Sequence, residues 1–190
     1  MKNYNLAYHN YLKQITLKGR LYRRFFLYPK FNKFFKGKLL DIGCGLGNLL
    51  KFYDNSVGVD INEYNINYCK KNNLQVFKIE NDHLPFLDND FDSVIMDNVL
   101  EHIESPDRLI IQIKKILSKD GILIICVPGI KGFKKDPDHK TFYDIRLLEN
   151  YLAKFDFYCS KYFYAPFNFE YFSKYLNQHC LYAIFKNKIV

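Results

Sequence analysis

Close cysteine pairs are missing from this sequence of 190 residues. Structural zinc sites usually hold their metal with cysteines spaced as CxxC pairs, and a disulfide framework needs an even number of cysteines. The chain has an odd, scattered set instead: Cys44, Cys69, Cys126, Cys159 and Cys180. We therefore expect reduced thiols, most of them buried in the core.

Long apolar runs are missing too. No stretch approaches the roughly 18 residues that a membrane-spanning helix needs, and no uninterrupted apolar segment follows the lysine near the N-terminus. The sequence thus predicts a cytoplasmic protein without a transmembrane segment or a secretory signal. Because 48% of the residues are hydrophobic, the chain can bury the core of one ordinary domain.

Acidic residues are absent from the first 38 positions, which carry ten Lys or Arg and ten aromatic residues. Positions 39–190 carry 18 basic against 20 acidic side chains, so the net charge of +8 comes entirely from the first segment. We predict that residues 1–37 form a basic, aromatic, helical leader. Such a leader can cover a ligand pocket as a lid, or it can present cations and rings to RNA or to a membrane surface. Residues 38–190 then form the main domain.

Beyond residue 38, short apolar segments alternate with helix-like segments, which is typical of parallel strands joined by crossover helices. Two further strands near the C-terminus indicate an antiparallel hairpin. The sequence therefore predicts an α/β fold, with a doubly wound, mostly parallel seven-stranded sheet, helices on both faces and a C-terminal hairpin. The candidate strands are 39–42, 56–59, 75–79, 91–96, 122–127, 157–167 and 180–188.

The segment 105–121 shows the clearest helical pattern. Ser105 can cap the helix, Pro106 suits its first position and Gly121 can end it. The next strand, ILIICV, is apolar at every position, which predicts a central strand covered on both faces. We interpret 129–144 as a loop and 145–155 as a helix. Apolar residues form one stripe on the first helix: Leu109, Ile110, Ile113, Ile116 and Leu117.

Three glycines, Gly43, Gly45 and Gly47, follow the first strand in the sequence LLDIGCGLGNLL. Glycine turns between a strand and a helix adopt positive φ and let a ligand approach the backbone closely, as in nucleotide sites. Asn48 replaces the last glycine of the dinucleotide fingerprint, and the turn lacks the lysine of a phosphate-binding loop. The pattern therefore disfavours a pyrophosphate site and NTP hydrolysis.

Two acidic residues accompany the glycine turn. Asp41 precedes the turn, and Asp60 ends the second strand in VGVD, about 20 residues further on. A carboxylate at that distance can accept hydrogen bonds from both hydroxyls of a ribose. The alternative for Asp60 is to cap the helix that follows it.

Four segments of the chain resemble, in order and spacing, the class I S-adenosylmethionine-dependent methyltransferases of the small-molecule and glycan type. The segments are LLDIGCGLGNLL, VGVDIN, IENDHLPFLDNDFDSVIMDNVLEHI and LSKDGILIICVPG. The resemblance covers roughly residues 38–155. It implies a Rossmann-like fold, the cofactor S-adenosyl-L-methionine and a methyltransferase activity.

The resemblance also implies which residues bind the cofactor. In the family, the turn that matches Gly43, Cys44, Gly45 and Gly47 surrounds the methionine part, and the residue that matches Asp41 helps to hold its amino group. The chain departs from the family where Glu80 and Asn81 replace an Asp and a small residue. The remaining matches are Asp60 on the ribose hydroxyls, Ile61 on the adenine ring, Glu80 and Asn81 on the adenine edge, and Asp97 facing the methyl group.

Two histidines follow strands at the edge of the sheet where ligands bind in open α/β folds, His102 in LEHI and His139 in DPDHKTFYD. Either can act as a general base. The alternative for His102 is a packing or capping role, and DPDHKTFYD resembles the lid segment of small-molecule and glycan methyltransferases. Asp136, Asp138 and His139 share one loop, but without a second cluster we predict no metal site.

For the acceptor, we expect an oxygen or nitrogen of a small metabolite or glycan precursor, and Arg23 and Arg24 suit one that is anionic. The alternative is a nucleic-acid methyltransferase or binder that uses the leader. However, DNVLEH replaces the Asn/Asp-Pro-Pro-aromatic segment of enzymes that methylate base amino groups. A third hypothesis is a non-catalytic partner protein that keeps the cofactor pocket.

Overall fold

In the computed structural model, which describes residues 2–14, 17–80 and 83–188, seven strands form one sheet. The order across the sheet is β3-β2-β1-β4-β5-β7-β6. The strands are β1 (Leu39–Ile42), β2 (Ser56–Asp60), β3 (Val76–Lys78), β4 (Phe91–Asp97), β5 (Leu117–Pro128), β6 (Phe157–Ala165) and β7 (Cys180–Asn187). β1 to β5 pair in parallel, and β7 is antiparallel to both β5 and β6. The predicted mostly parallel sheet with a C-terminal hairpin is confirmed.

Helices precede and connect these strands. The leader is helical, with α1 (Lys2–Lys13), α2 (Leu17–Tyr22), a π-helical turn (Arg23–Leu27) and α3 (Tyr28–Asn32). The main domain adds α4 (Glu63–Lys71), α5 (Asp107–Ile116), α6 (Ile130–Lys135), α7 (Ile145–Ala153) and two 3-10 turns (Leu100–His102 and Glu170–Lys174). Within the described residues, no helix combines the length and the apolarity that crossing a membrane requires.

The strand β5 is covered on both faces, as its continuous apolar sequence predicts. Leu123 and Ile125 belong to the core cluster that includes the buried faces of α5 and α7. Ile122 and Ile124, which alternate with Leu123 and Ile125 along the strand, belong to a second cluster that includes buried residues of the leader. The sheet therefore has helices on both faces, and the leader supplies part of one of these layers.

The helix α5 differs from its predicted bounds at both ends. Pro106 occupies the N-cap position and no side chain caps the helix, so Ser105 does not have the predicted role. The helix ends at Ile116, because Leu117 is extended and pairs with Phe91 across the sheet. The predicted stop at Gly121 is therefore wrong. Leu117 is buried, as the apolar stripe predicts, but it is buried as part of β5.

Two connections also differ from the predicted pattern. The residues between the glycine turn and β2 form consecutive turns where a crossover helix was expected. The segment predicted as a loop after β5 contains the short helix α6. The cysteines agree with expectation, since all five are free and four of them are buried.

Phe31 anchors the leader to the sheet. Its side chain is completely buried in α3, and its ring centroid lies 5.1 Å from that of Tyr182 on β7 and 6.4 Å from that of Phe163 on β6. Leu27 and Tyr28 are buried in the same cluster. The second half of the leader is thus part of the hydrophobic core.

We predict that Phe31→Ala lowers the free energy of unfolding by about 3 to 5 kcal/mol, because it leaves a cavity between α3 and the hairpin. Phe26 is a matched control from the same leader, since 65% of it is exposed. Phe26→Ala should change the free energy by no more than about 0.5 kcal/mol. Urea denaturation of both variants measures the difference, and equal effects would contradict the packing of the leader described above.

Candidate functional site

A cavity of about 570 Å³ opens at the carboxyl ends of β1, β2 and β4. Ligands of open α/β sheets bind at this edge, and the volume lies in the range of small-molecule sites. Its walls come from the glycine turn, the ends of the three strands, the segment after β4 and the leader. The candidate site is therefore built by the main domain and the leader together.

The three glycines of the turn have different reasons to lack a side chain, although all three have positive φ. A Cβ on Gly43 would lie 2.4 Å from Val99, and a Cβ on Gly47 would lie 2.4 Å from Leu74. A Cβ on Gly45 would meet only Leu12 of the leader, at 3.4 Å. Gly43 and Gly47 are thus required by packing, whereas Gly45 leaves its space to the cavity.

Asp60 ties the glycine turn to the start of α4. Its carboxylate accepts a hydrogen bond of 2.9 Å from the backbone N–H of Gly45 and one of 2.7 Å from the backbone N–H of Asn62. The side chain of Asn65 donates a third, at 3.2 Å. The helix cap is Asn62, which accepts from the backbone of Tyr64, so the capping alternative for Asp60 is wrong.

The cavity has an acidic lining. Asp41, Asp60 and Asp97 all face it, and Asp41 and Asp60 are buried. Burial, followed by repulsion from Asp97 and Asp60, raises the pKa of Asp41 well above its ordinary value. Burial also raises the pKa of Asp60. A cationic ligand would relieve this repulsion and would favour the ionised carboxylates.

One arginine from the leader balances part of this charge. Arg23 donates a hydrogen bond of 2.8 Å to the carboxylate of Asp97, and the attraction of Asp97 raises the pKa of Arg23. Both side chains line the cavity. The ion pair therefore connects the π-helical turn of the leader to the carboxyl end of β4.

The helix α1 closes the cavity from the outside. Asn5, Tyr8 and Leu12 line it, and their spacing places them on one face of the helix. The backbone carbonyl of Asn5 accepts a hydrogen bond of 2.8 Å from the side chain of Asn62, which fixes α1 beside α4. Helical spacing is the one sequence signal that could have identified these leader residues, and it does not say which surface they cover.

The structure brings most of the predicted site residues to this cavity. Gly47 lies behind the turn, against Leu74, and does not line it. Glu80 is exposed and forms an ion pair of 2.8 Å with Lys78, so its side chain does not reach the cavity either. Asn81 lies outside the described residues. The predicted residues in the lining are Asp41, Gly43, Cys44, Gly45, Asp60, Ile61, Asp97 and His102.

The two histidines lie side by side. His102 lines the cavity, and the ring of His139 lies behind it with the ring centroids 4.6 Å apart. Burial, and then the neighbouring His139, lower the pKa of His102. A lowered pKa favours the neutral imidazole, which has a lone pair that can accept a proton or bind a metal ion.

Comparison with known proteins finds similarity over part of the chain. A family model described as a methyltransferase domain matches residues 40–125, slightly less than half of the chain. A relative described as a ubiquinone biosynthesis O-methyltransferase, from Pelagibacter ubique, is 33% identical over 97 residues, which are 46% of this chain and 40% of that protein. A probable tRNA methyltransferase 9B from Mus musculus is 33% identical over 92 residues, which are 46% of this chain and 21% of that protein.

Further similarities concern an uncharacterised relative and the fold. Protein MJ1123 from Methanocaldococcus jannaschii is 34% identical over 90 residues, 47% of this chain and 44% of that protein. The chain thus aligns with about half, or less, of the curated relatives it matches. The crystal structure of a SAM-dependent methyltransferase from Thermotoga maritima superimposes with a TM-score of 0.73 at 18% identity, covering 95% of this chain and 98% of that one. The chain therefore has the fold of this solved methyltransferase, and residues 40–125 resemble a methyltransferase domain in sequence.

Proposed function

We propose that this protein transfers a methyl group from S-adenosylmethionine to an oxygen or nitrogen of a small metabolite or glycan precursor. The observation that carries the proposal is the acidic cavity, which joins Asp41, Asp60 and Asp97 to the open space beside Gly45. S-adenosylmethionine supplies a methyl group on a positively charged sulfur, together with a cationic amino group. Carboxylates at close range attract both charges.

We assign a residue to each part of the cofactor. Asp41, a buried acid in the lining, is assigned to the amino group, and the open space beside Gly45 to the methionine chain. Asp60 has two hydrogen bonds to the backbone, and its remaining lone pairs can accept the ribose hydroxyls. Ile61 is 65% exposed although it lines the cavity, so it offers an apolar surface that the adenine ring can cover. The contact of Glu80 with adenine stays a prediction.

The leader supports a small acceptor over a large one. We propose that residues 1–37 act as a lid on the domain 38–190, since side chains from α1 and from the π-helical turn line the cavity. Alignment of a small acceptor under such a lid supplies much of the rate of a methyl transfer, because the step needs the reacting atoms in line. Arg23 can bind an anionic acceptor only in competition with Asp97, its present partner.

The proton of a hydroxyl or ammonium acceptor needs a base. His102 reaches the cavity and its pKa is lowered, so it is the side chain in the lining that we assign to this role. His139 packs against it and would act on the acceptor only through His102 or after movement of its loop. General-base assistance of this kind contributes about 10²- to 10⁴-fold.

The first prediction concerns cofactor binding. Asp60→Ala removes an acceptor for the ribose and a bond that holds the glycine turn, so it should weaken binding of S-adenosylhomocysteine by at least about 10- to 100-fold. His139→Ala is the matched control, since His139 is absent from the lining. It should leave binding unchanged and slow methyl transfer. Calorimetric titration measures binding, and radiolabelled methyl transfer to small molecules of a cell extract measures turnover. Equal loss of affinity in both variants would refute the assignment.

The second prediction concerns pH. The raised pKa of Asp41 means that the free protein holds a proton that the cationic amino group of the ligand must displace. Affinity for S-adenosylhomocysteine should therefore rise with pH, by up to about tenfold for each unit below the pKa of Asp41, and then level off. Asp41→Asn should bind S-adenosylhomocysteine more weakly, and its affinity should depend less steeply on pH. The pH dependence that remains would come from Asp60, whose pKa is also raised. Titrations between about pH 5 and 7 test this, and identical slopes would contradict it.

A nucleic-acid acceptor is the alternative, and the exposed side of the leader favours it. Tyr11, Phe25 and Phe26 are each more than 60% exposed, and Phe25 and Phe26 directly follow the exposed cation Arg24. Such a surface stacks on bases and contacts phosphates. If RNA is the acceptor, its affinity should fall steeply with salt, and Phe25→Ala with Arg24→Ala should weaken it. Absence of RNA binding at low salt, with S-adenosylhomocysteine binding intact, would remove this alternative.

A further inference from the structure

Glu101 is a buried acid without a partner. It lies in the 3-10 turn after β4, its side chain is completely buried, and neither carboxylate oxygen has a hydrogen-bond partner in the described part of the protein. Burying a polar group in this state is unfavourable, and burying a charged one is more so. An unpartnered buried carboxyl group therefore indicates a place where a ligand such as a metal ion can bind.

The loop after β5 brings a histidine to this acid. The backbone N–H groups of Lys140 and Thr141 donate to the carbonyl of Glu101, at 2.7 and 3.2 Å. These bonds hold His139 against the 3-10 turn, although the two residues lie 38 positions apart in the sequence. The Nε2 atom of His139 is 3.8 Å from Oε1 of Glu101. The separation is too long for a direct hydrogen bond and suits two atoms that share an ion.

The His139 ring is oriented by a hydrogen bond of its Nδ1 atom, which leaves Nε2 towards Glu101. Its Nδ1 atom lies 2.8 Å from the carbonyl oxygen of Phe133, which can only accept, so Nδ1 carries the proton. In the neutral ring the lone pair is then on Nε2, which faces Glu101. Metal-bound histidines are oriented in this way, by donating their other N–H to a backbone carbonyl. His102 also has a hydrogen bond to the backbone, that of Asp138.

We propose that Glu101, His102 and His139 bind a divalent transition-metal ion such as Zn²⁺. One ligand atom from each of the three side chains lies within 4.8 Å of the others. Ligand atoms of one tetrahedral Zn²⁺ ion, each at about 2.0 to 2.2 Å from it, are about 3.3 to 3.6 Å apart, so side-chain rotations that bring the three groups closer would complete the site. Two imidazoles select this class of ion, because Mg²⁺ and Ca²⁺ prefer sites made of oxygen atoms.

The electrostatic surroundings favour a cation. Asp136 places a carboxylate oxygen 3.9 Å from Nε2 of His139, and Asp97 is a further acid nearby. Both acids would attract a cation bound between Glu101 and His139.

Three protein ligands leave open coordination positions, which is typical of catalytic zinc sites and not of structural ones. Because His102 lines the cavity, an open position there would take an oxygen of the acceptor and lower its pKa, and His102 would then serve as ligand in place of base. This extension rests on the proposed function. The metal site itself does not, because ion binding is measured without any acceptor.

The test is a calorimetric titration of the full chain, freed of metal by a chelator and dialysed, with Zn²⁺ and separately with Mg²⁺. We expect one equivalent of Zn²⁺ to bind and Mg²⁺ to bind far more weakly. Loss of a partner that merely orients a ligand costs 10- to 100-fold in affinity. Glu101→Gln and His139→Ala each remove a ligand, so each should weaken Zn²⁺ binding by more than about 100-fold.

Two controls make the result specific. His83→Ala removes an exposed histidine outside the cluster and should leave Zn²⁺ binding unchanged. Glutamine has the shape of a protonated glutamate, so Glu101→Gln should keep the fold, and its thermal midpoint should lose the rise that Zn²⁺ gives the wild type. No Zn²⁺ binding by the wild type, or unchanged binding in both ligand variants, would overturn the proposal.

Binding of S-adenosylhomocysteine is measured on the same preparations. If that ligand binds and Zn²⁺ does not, the metal site fails and the proposed function stands. If Zn²⁺ binds with the expected loss in the variants and S-adenosylhomocysteine does not, the proposed function fails and the metal site stands. Preference for Mg²⁺ over Zn²⁺ would also overturn the proposal, because it contradicts the two imidazole ligands.

Discussion

The carboxylate of Asp60 is the contact on which the site depends. It accepts hydrogen bonds from the backbone of the glycine turn, from the backbone that starts α4 and from the side chain of Asn65. Asn65 in turn accepts from His9 of the leader, at 2.9 Å with Nδ1 of that ring. One buried acid thus links β1, β2, α4 and α1. Burial raises the pKa of Asp60, and these hydrogen bonds oppose that rise because they stabilise the ionised form.

Basic side chains of the leader lie mostly at the surface, whereas acidic side chains line the cavity. Cations of the leader are mostly exposed, among them Lys18, Arg20 and Arg24, whereas Arg23 turns inward to Asp97. The cavity beneath them is lined by carboxylates. An outer basic surface and an inner acidic cavity can serve two different ligands, an anionic one approaching from solvent and a cationic one bound inside. A net charge of +8 on the whole chain therefore says little about the ligand that the cavity selects.

Local sequence patterns predict the parts of this structure that depend on near neighbours. The strand bounds 39–42 agree with the structure because turn residues and a change of polarity flank that strand. Leu117 shows the limit of such patterns. It follows the helical spacing of α5, but it lies in β5 because it pairs with Phe91 of β4, 26 residues earlier. The docking of α1 is similar. Its lining residues follow helical spacing, but nothing in that spacing says that α4 is the neighbour.

The cluster of Glu101, His102 and His139 shows why the chemistry of a site is harder to predict than the fold. In the sequence, Asp136 and Asp138 lie close to His139, which suggests a metal site within one loop. Without a second cluster of ligands, that pattern does not predict a metal site. The structure turns the ring towards an acid from another strand end, because Phe133 binds its Nδ1 atom. Leu100 and the adjacent Glu101 are both buried, and nothing in the sequence pattern predicts burial of the acid. A buried acid without a hydrogen-bond partner can be recognised only when the long-range contacts are known. Such an acid indicates that a ligand can bind there.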